Sequence, residues 1–295
     1  MKYTNYSLFS TEHRTLGLER ALDRTLELGF DSVEHIENAV PTDASYKLKA
    51  LSDAKDMRRE LDARGLTVGC YSLVLNLLYD NVDGQVERAY RDIEYAHTIG
   101  SPFFHHTVIH AYDKTAFSYS LNEAFEMVAE NLERIARRCN EYGITCLYEP
   151  QGLYFNGIVG MRKILSEMKA RGLNVGVCGD TANSLYVNCM PIDIYKEFRD
   201  DIKHVHVKDF LYFKPAELEI VPEGGFFKNR FGNLLRGTIL GHGVVPVIEC
   251  IRLLRQSGYD EGFTLEFEGA EDNLPAIEAS YAYMRKLAAL PLERA

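Results

Sequence analysis

Four short apolar stretches of the sequence each carry, near their end, a side chain of the kind that binds metal ions. ITCLYEP carries Glu149, NVGVCGD carries Asp180, IKHVHVKD carries His206 and FTLEFEG carries Glu266. Stretches of this length and composition are typical of buried β-strands. The four side chains are 31, 26 and 60 residues apart, and a strand with its return helix takes about 30 residues in an eight-unit barrel. The spacing therefore predicts neighbouring strands that converge on one divalent cation.

Three carboxylates and one imidazole form a donor set that favours Mn²⁺, Mg²⁺ or Co²⁺ over metals that prefer thiolates. We expect Mn²⁺ first, with Zn²⁺ as a further candidate. Four protein ligands on a six-coordinate ion leave two positions for adjacent oxygens of a sugar or hydroxy-ketone, whose carbonyl the ion would polarise. Glu149 and Glu266 would face each other across that substrate, so that one removes the proton next to the carbonyl and the other returns it. Such chemistry is isomerisation or epimerisation.

Composition and charge argue against several other classes of protein. The chain has 295 residues, 46% of them hydrophobic, and a formal net charge of -10, so long-range electrostatics would repel a nucleic acid. The sequence does not begin with a basic segment followed by an apolar one, and it contains no run of about eighteen apolar residues. We therefore expect a cytoplasmic protein that binds neither nucleic acid nor membrane. The six cysteines include no C-x-x-C pair, which predicts no disulfide framework and no cysteine-based zinc site.

Side chains can converge in this way only on a regular framework, and the sequence alternates short apolar runs with longer stretches of helical period. Eight strands are predicted to begin at residues 3, 32, 67, 102, 144, 175, 202 and 263. Helices are predicted over residues 17–28, 44–63, 82–99, 121–141, 161–170 and 245–256. No G-x-G-x-x-G follows the first strand, so a closed barrel is favoured over an open dinucleotide-binding sheet. We predict a single (β/α)8 TIM barrel that spans residues 1–295 as one domain.

One stretch, residues 211–243, departs from this alternation because it is too long for an ordinary connection. It follows the seventh strand and therefore lies at the carboxyl-terminal face, where the active sites of such barrels are found. We predict a long loop that acts as a lid or binds a partner.

The motifs around the four side chains resemble those of the xylose isomerase-like superfamily of sugar-phosphate isomerases and epimerases, along essentially the whole chain. The matching stretches are Tyr148-Glu149-Pro150, Gly179-Asp180-Thr181-Ala182-Asn183, His204-Val205-His206-Val207-Lys208-Asp209, and Gly258-Tyr259-Asp260 leading to Glu266. The resemblance implies Glu149, Asp180, His206 and Glu266 as metal ligands and the two glutamates as acid and base. The chain lacks the second glutamate that ketose 3-epimerases have soon after Glu149, and Asn183 stands where many members have histidine. These differences leave the sugar specificity open.

Further polar side chains near the strand ends are candidates for contacts with the substrate. His106 is a candidate acid or base, and the candidates for substrate binding are His105, His110, Asn183, Lys208 and His242. Adjacent residues of a strand point to opposite faces, so at most one of His105 and His106 faces the barrel interior. The alternative is that these histidines are packed in the core or lie in loops without a role. Glu268 shares a strand face with Glu266 and is the alternative ligand.

The same site is compatible with more than one reaction, because a fold does not select a function. The first hypothesis is a sugar isomerase or epimerase, acting on a small sugar. The alternative is a lyase like the C-glycoside deglycosidases of this superfamily, which would eliminate the aglycone from a 3-keto-glycoside together with a small partner subunit. A metal-dependent phosphodiesterase is a weaker alternative, because the chain offers one clear ligand set and excess negative charge. We expect either a homo-oligomer or a hetero-oligomer with a small subunit.

Overall fold

The computed structural model describes residues 1–6, 17–36, 51–78, 82–109 and 119–292. Within these ranges, eight parallel strands close into a barrel. They are β1 (Lys2–Asn5), β2 (Ser32–Ile36), β3 (Thr67–Leu73), β4 (Phe103–His106), β5 (Thr145–Tyr148), β6 (Val175–Asp180), β7 (Ile202–Val207) and β11 (Gly262–Leu265). Strands β1 to β7 pair in sequence order, and β11 closes the barrel between β7 and β1. The predicted (β/α)8 barrel is confirmed.

Helices lie between the strands. They are α1 (Leu18–Leu28), α2 (Leu51–Arg64), α3 (Val82–Ile99), α4 (Leu121–Glu141), α5 (Gly157–Ala170), α6 (Pro191–Glu197), α7 (Val247–Gln256) and α8 (Asn273–Ala288). Two helices are not predicted from the sequence pattern: α6, which has only 7 residues, and α8, which has a proline within its first turn. A proline is tolerated there because the first backbone N–H groups of a helix have no partner within it.

Helix α4 shows how the sequence specifies such an element. Ser120 accepts a hydrogen bond from the backbone of Glu123, and the Glu123 side chain accepts one from the backbone of Ser120, which together form a capping box. Buried apolar residues then recur every three or four positions: Phe125, Val128, Leu132, Ile135 and Cys139. This stripe packs into the core between the helices and the outer face of the barrel.

The barrel interior is arranged in layers because side chains alternate along each strand. A small apolar cluster of Cys70, Leu147 and Cys178, with Phe103 against it, fills one layer. Two residues further along the same four strands, toward their carboxyl ends, come Ser72, Glu149, Asp180 and His105. The polar layer therefore lies at the carboxyl-terminal end of the barrel, and the apolar layer fills the interior on its amino-terminal side.

The predicted loop over residues 211–243 is in part regular structure. Strands β8 (Asp209–Phe213), β9 (Phe227–Lys228) and β10 (Leu234–Thr238) form an antiparallel sheet in the order β8-β10-β9. Only Lys208 separates the end of β7 from the start of β8, so the local sequence shows no break at the point where the chain leaves the barrel. None of the described helices has the length and apolar character to cross a membrane. All six cysteines are free.

Candidate metal centre

The structure brings the four predicted ligands together at the carboxyl ends of β5, β6, β7 and β11. One ligand atom from each of Glu149, Asp180, His206 and Glu266 lies within 4.8 Å of the others, and all four residues are buried. His206 Nδ1 is 2.6 Å from Glu149 Oε1 and 3.3 Å from Glu266 Oε2. The longest gap in the sequence, between His206 and Glu266, is accounted for by the three-stranded sheet and α7, which lie between β7 and β11 in the chain.

The donor set has the composition that a divalent cation requires. Asp180 Oδ1 accepts hydrogen bonds from the backbone N–H groups of Ala182 and Asn183. Asp180 Oδ2 and Glu266 Oε2 are buried without a well-aligned hydrogen bond in the described part of the chain. Oxygen atoms of this kind, together with one imidazole nitrogen, fit Mg²⁺ or Mn²⁺ better than a metal that prefers thiolates.

Lys208 brings a positive charge into the same cluster. Its side chain is only 3% exposed, and Nζ lies 3.2 Å from Asp180 Oδ2, 2.9 Å from Glu266 Oε2 and 3.4 Å from Glu268 Oε2. Burial by itself lowers the pKa of the Lys208 ammonium, but Asp180 and Glu266 outweigh burial and hold the pKa well above its usual range. Glu268 is 45% exposed at the rim, so Glu266, not Glu268, lies among the other candidate ligands.

The surroundings shift the pKa values of the two glutamates in opposite directions. Burial raises the pKa of the Glu149 carboxyl to about 7, against the opposing effect of His206. Burial also raises the pKa of Asp180 to about 6, although Lys208 acts in the opposite direction. At Glu266 burial raises the pKa as well, but Lys208 and His206 outweigh it and hold the pKa well below its usual range. Near neutral pH, Glu149 is therefore poised to hold a proton while Glu266 is ionised, the difference expected of an acid and a base that share a substrate.

Glu34, which is not among the predicted site residues, lies beside the four candidate ligands. It is fully buried, and its two oxygens lie 2.7 Å from His204 Nε2 and 2.9 Å from His206 Nε2. Ser72 donates a further hydrogen bond to it. The sequence could have indicated Glu34 through its inward-facing position on the predicted strand β2. Ser72, on β3, could not be found in this way, because a single serine in an apolar strand is unremarkable.

The structure separates the adjacent histidines of β4. His105 faces the barrel interior, where its Nε2 lies 3.7 Å from Glu149 Oε2, and burial lowers the pKa of its ring to about 3. His106 faces the other way: its ring stacks edge-on with that of Tyr148 at 5.4 Å, and it interacts with Cys146, which in turn interacts with Cys139 of α4. His106 therefore packs on the outer side of β4, and its catalytic role stays a prediction.

The remaining predicted substrate contacts differ in their surroundings. Asn183 is 2% exposed, and its Nδ2 has no hydrogen-bond partner in the described part of the chain. His242 is exposed on a turn in which the backbone N–H groups of Gly241 and Gly243 both donate to Asp209 Oδ2. His110 lies outside the described residues. Of the predicted substrate-binding residues, His105 and Lys208 thus lie among the candidate ligands, Asn183 adjoins Asp180, and His242 is on the surface.

Comparison with known proteins agrees with the barrel fold. The model of the xylose isomerase-like TIM barrel family matches residues 22–287. The chain belongs to this family.

Among curated proteins, this family member is similar to inosose dehydratase of Lacticaseibacillus casei, with 22% identity over 91% of the chain and 87% of that protein. Among solved structures it resembles the probable 3-DHS dehydratase AsbF from Bacillus anthracis, with a TM-score of 0.71 and 18% identity over 97% of this chain and 99% of the other. It also resembles a xylose isomerase-like TIM barrel protein from Mycobacterium smegmatis in complex with magnesium, with a TM-score of 0.69 and 17% identity over 97% and 96% of the two chains. At these identities the solved structures support the fold alone.

Proposed function

We propose that the chain is a divalent-metal-dependent isomerase or epimerase of a sugar or keto-sugar, acting by removal and return of a proton on the carbon next to a carbonyl. The observation that carries the proposal is the convergence of Glu149, Asp180, His206 and Glu266 within 4.8 Å. Glu149 and Glu266 come from β5 and β11, which are separated in the barrel by β6 and β7. The two carboxyl groups therefore enter the site from different directions.

A divalent cation bound by these four side chains would polarise the substrate carbonyl and stabilise the negative charge that develops on its oxygen. We keep Mn²⁺ as the first candidate, with Mg²⁺ next. The protein's own groups supply the proton transfers. With the cation bound both glutamates are ionised; Glu266 accepts the proton from carbon and later releases it to solvent, and Glu149, after taking up a proton from solvent, returns one from its own side. Lys208 is placed to donate a hydrogen bond to a substrate oxygen close to Glu266.

The test is proton exchange with solvent. The purified protein, loaded with Mn²⁺ or Mg²⁺, is incubated in D₂O with a panel of ketoses and keto-sugars, and deuterium at the carbon next to the carbonyl is followed by NMR. Exchange should fall about 100- to 10,000-fold in Glu149→Gln and stay unchanged in Glu126→Gln, a matched change on the exposed face of α4. If no member of the panel exchanges, the proposal is wrong.

A lyase is the second candidate, and a specific observation favours it: the curated relatives are named inosose dehydratase. The first step is the same, but a substituent on the next carbon leaves instead of a proton returning. A dehydratase would expel water from a cyclic keto-polyol, and a deglycosidase would expel the aglycone from a 3-keto-glycoside. Appearance of a conjugated enone, or release of an aglycone, with no deuterium in recovered substrate would favour the lyase.

A further inference from the structure

Three hydrogen-bond donors surround the buried carboxylate of Glu34. Ser72 Oγ contacts Oε1, His204 Nε2 lies 2.7 Å from Oε2, and His206 Nε2 lies 2.9 Å from Oε1. Glu34 and His204 are 0% and 1% exposed, so water cannot take the place of these contacts. Burial raises the pKa of the Glu34 carboxyl, but His206 and His204 outweigh burial and hold the pKa well below its usual range. An ionised carboxylate only accepts hydrogen bonds. Each of the three contacts is therefore a hydrogen bond donated to Glu34.

The single hydrogen of the Ser72 hydroxyl determines which ring nitrogen of His105 is protonated. The Ser72 hydroxyl has one hydrogen, and Glu34 receives it. Ser72 Oγ also lies 2.9 Å from His105 Nδ1, and with its hydrogen already used it can only accept at this contact. His105 Nδ1 must therefore carry the hydrogen, and in a neutral imidazole the other nitrogen, Nε2, is then left with a lone pair.

That lone pair points into the site. His105 is 5% exposed, its Nε2 lies 3.7 Å from Glu149 Oε2, and the nitrogen has no hydrogen-bond partner in the described part of the chain. A buried acceptor in this position is costly unless something donates to it. The hydroxyl groups of a sugar are donors of the required kind.

We propose that Glu34 is a positioning residue which, through Ser72, holds His105 in the Nδ1–H tautomer, so that His105 Nε2 accepts a hydrogen bond from a substrate hydroxyl next to the carbonyl. The same carboxylate takes the Nε2–H of His206 and so turns Nδ1 of that ring toward Glu149 and Glu266. One buried carboxylate thus orients two imidazoles, as outer partners of metal-binding histidines commonly do. The identity of the donor as a sugar hydroxyl rests on the proposed function, but the tautomer does not.

The tautomer is measured directly by ¹⁵N NMR of the histidine rings in the metal-free protein, with the His105 signals identified by their loss in His105→Gln. We expect Nδ1 of His105 to be protonated and Nε2 to be unprotonated in the wild-type protein. Ser72→Ala removes the acceptor at Nδ1, and the ring should change to the Nε2–H form; Ser72→Thr keeps the hydroxyl and should restore the Nδ1–H form. Thr264→Val is the matched control, because it removes a hydroxyl that lies 2.9 Å from His204 Nε2 and leaves Ser72 in place.

An Nε2–H form of His105 in the wild-type protein, or the same tautomer in wild type and Ser72→Ala, would overturn the proposal. The wild-type spectrum decides even if a variant does not fold. In kinetic assays Ser72→Ala should raise KM about tenfold, the size expected for one lost hydrogen bond. If the tautomer changes as expected but no sugar exchanges deuterium, the positioning role stands and the proposed function fails; if exchange occurs and the tautomer does not change, the reverse holds.

Discussion

Lys208 sets the charge balance of the candidate site. Three carboxylates at this separation repel one another, and a buried charge is tolerated only where it is paired. The ammonium of Lys208 supplies that pairing for Asp180 and Glu266. A bound cation would be attracted by the same carboxylates and repelled by the ammonium. Lys208 and a metal ion therefore compete for Asp180 and Glu266.

Replacing Lys208 tests this balance. Lys208→Met keeps most of the volume and removes the charge, so the metal-free protein should lose about 3–5 kcal/mol of unfolding free energy. The variant should bind a divalent metal more tightly than the wild type and recover part of its stability on binding. Thermal unfolding with and without metal measures both effects, and Lys196→Met, at an exposed pair with Asp193, should change stability by less than about 1 kcal/mol. Equal stability of the two variants would contradict the pairing role.

Metal affinity should depend on pH because protons occupy the metal-free site. The pKa of Glu149 is raised to about 7 and that of Asp180 to about 6, so below these values both carboxyls hold protons that a cation must displace. Affinity should therefore rise between pH 5 and pH 7, by about tenfold per pH unit for each proton displaced. It should go on rising above pH 7, because burial lowers the pKa of the His206 imidazolium but Cys178 and Glu34 outweigh burial and hold the pKa well above its usual range. Calorimetric titration in two buffers of different ionisation enthalpy counts the protons released. An affinity that is constant over this range would show that the carboxyls are already ionised.

At the level of elements, the three-stranded sheet after β7 supports the segment that carries Glu266. Gly237 of β10 forms a parallel bridge with Gly269. A Cβ on Gly237 would lie 2.3 Å from the backbone oxygen of Glu268, a separation that side-chain carbons do not tolerate. The sheet therefore packs against the backbone only a few residues beyond the candidate ligand.

Gly237→Ala should displace this segment and weaken the metal site without removing any ligand. We expect a loss of stability of about 1–3 kcal/mol, as for other overpacked sites, and a metal affinity reduced about tenfold or more. Lys228→Ala, an exposed change on β9 of the same sheet, should leave the stability and the metal affinity unchanged. Metal titration and thermal unfolding of the two variants provide the measurement; an unaffected metal affinity in Gly237→Ala would mean that the sheet does not position Glu266.

Elements with strong local signals are predictable, and those held by distant contacts are less so. Strands β5, β6, β7 and β11 are short apolar runs, and α4 has its capping box and apolar stripe within one segment. Helix α6 and the sheet of β8, β9 and β10 lack such signals. Strand β10 is stabilised by pairing with β8, more than twenty residues earlier in the chain, and such a partner is not apparent from the local sequence.

At the scale of the whole molecule, the barrel is closed by the pairing of β1 with β11, the first and last strands of the described chain. We propose that residues 1–295 form one domain, and the closure predicts a single cooperative thermal transition. Divalent metal at about 100 times its Kd should add about 2.7 kcal/mol to the unfolding free energy and raise the Tm by several degrees. Chelation should reverse the shift, and Glu266→Gln should abolish most of it. Two separate transitions would contradict the single domain.

The sequence by itself determined the barrel and the four candidate ligands, because strand period, strand ends and the spacing of βα units are local properties that repeat along the chain. Only the tertiary structure decided what surrounds those ligands. It brought Glu34 and Ser72 from β2 and β3 to His206 and His105, turned His106 toward the helices, and placed Lys208 between two carboxylates. The physical reason is that a hydrogen bond or an ion pair joins side chains by distance in space, and the barrel brings Glu34 to His206, which lies 172 positions later in the chain.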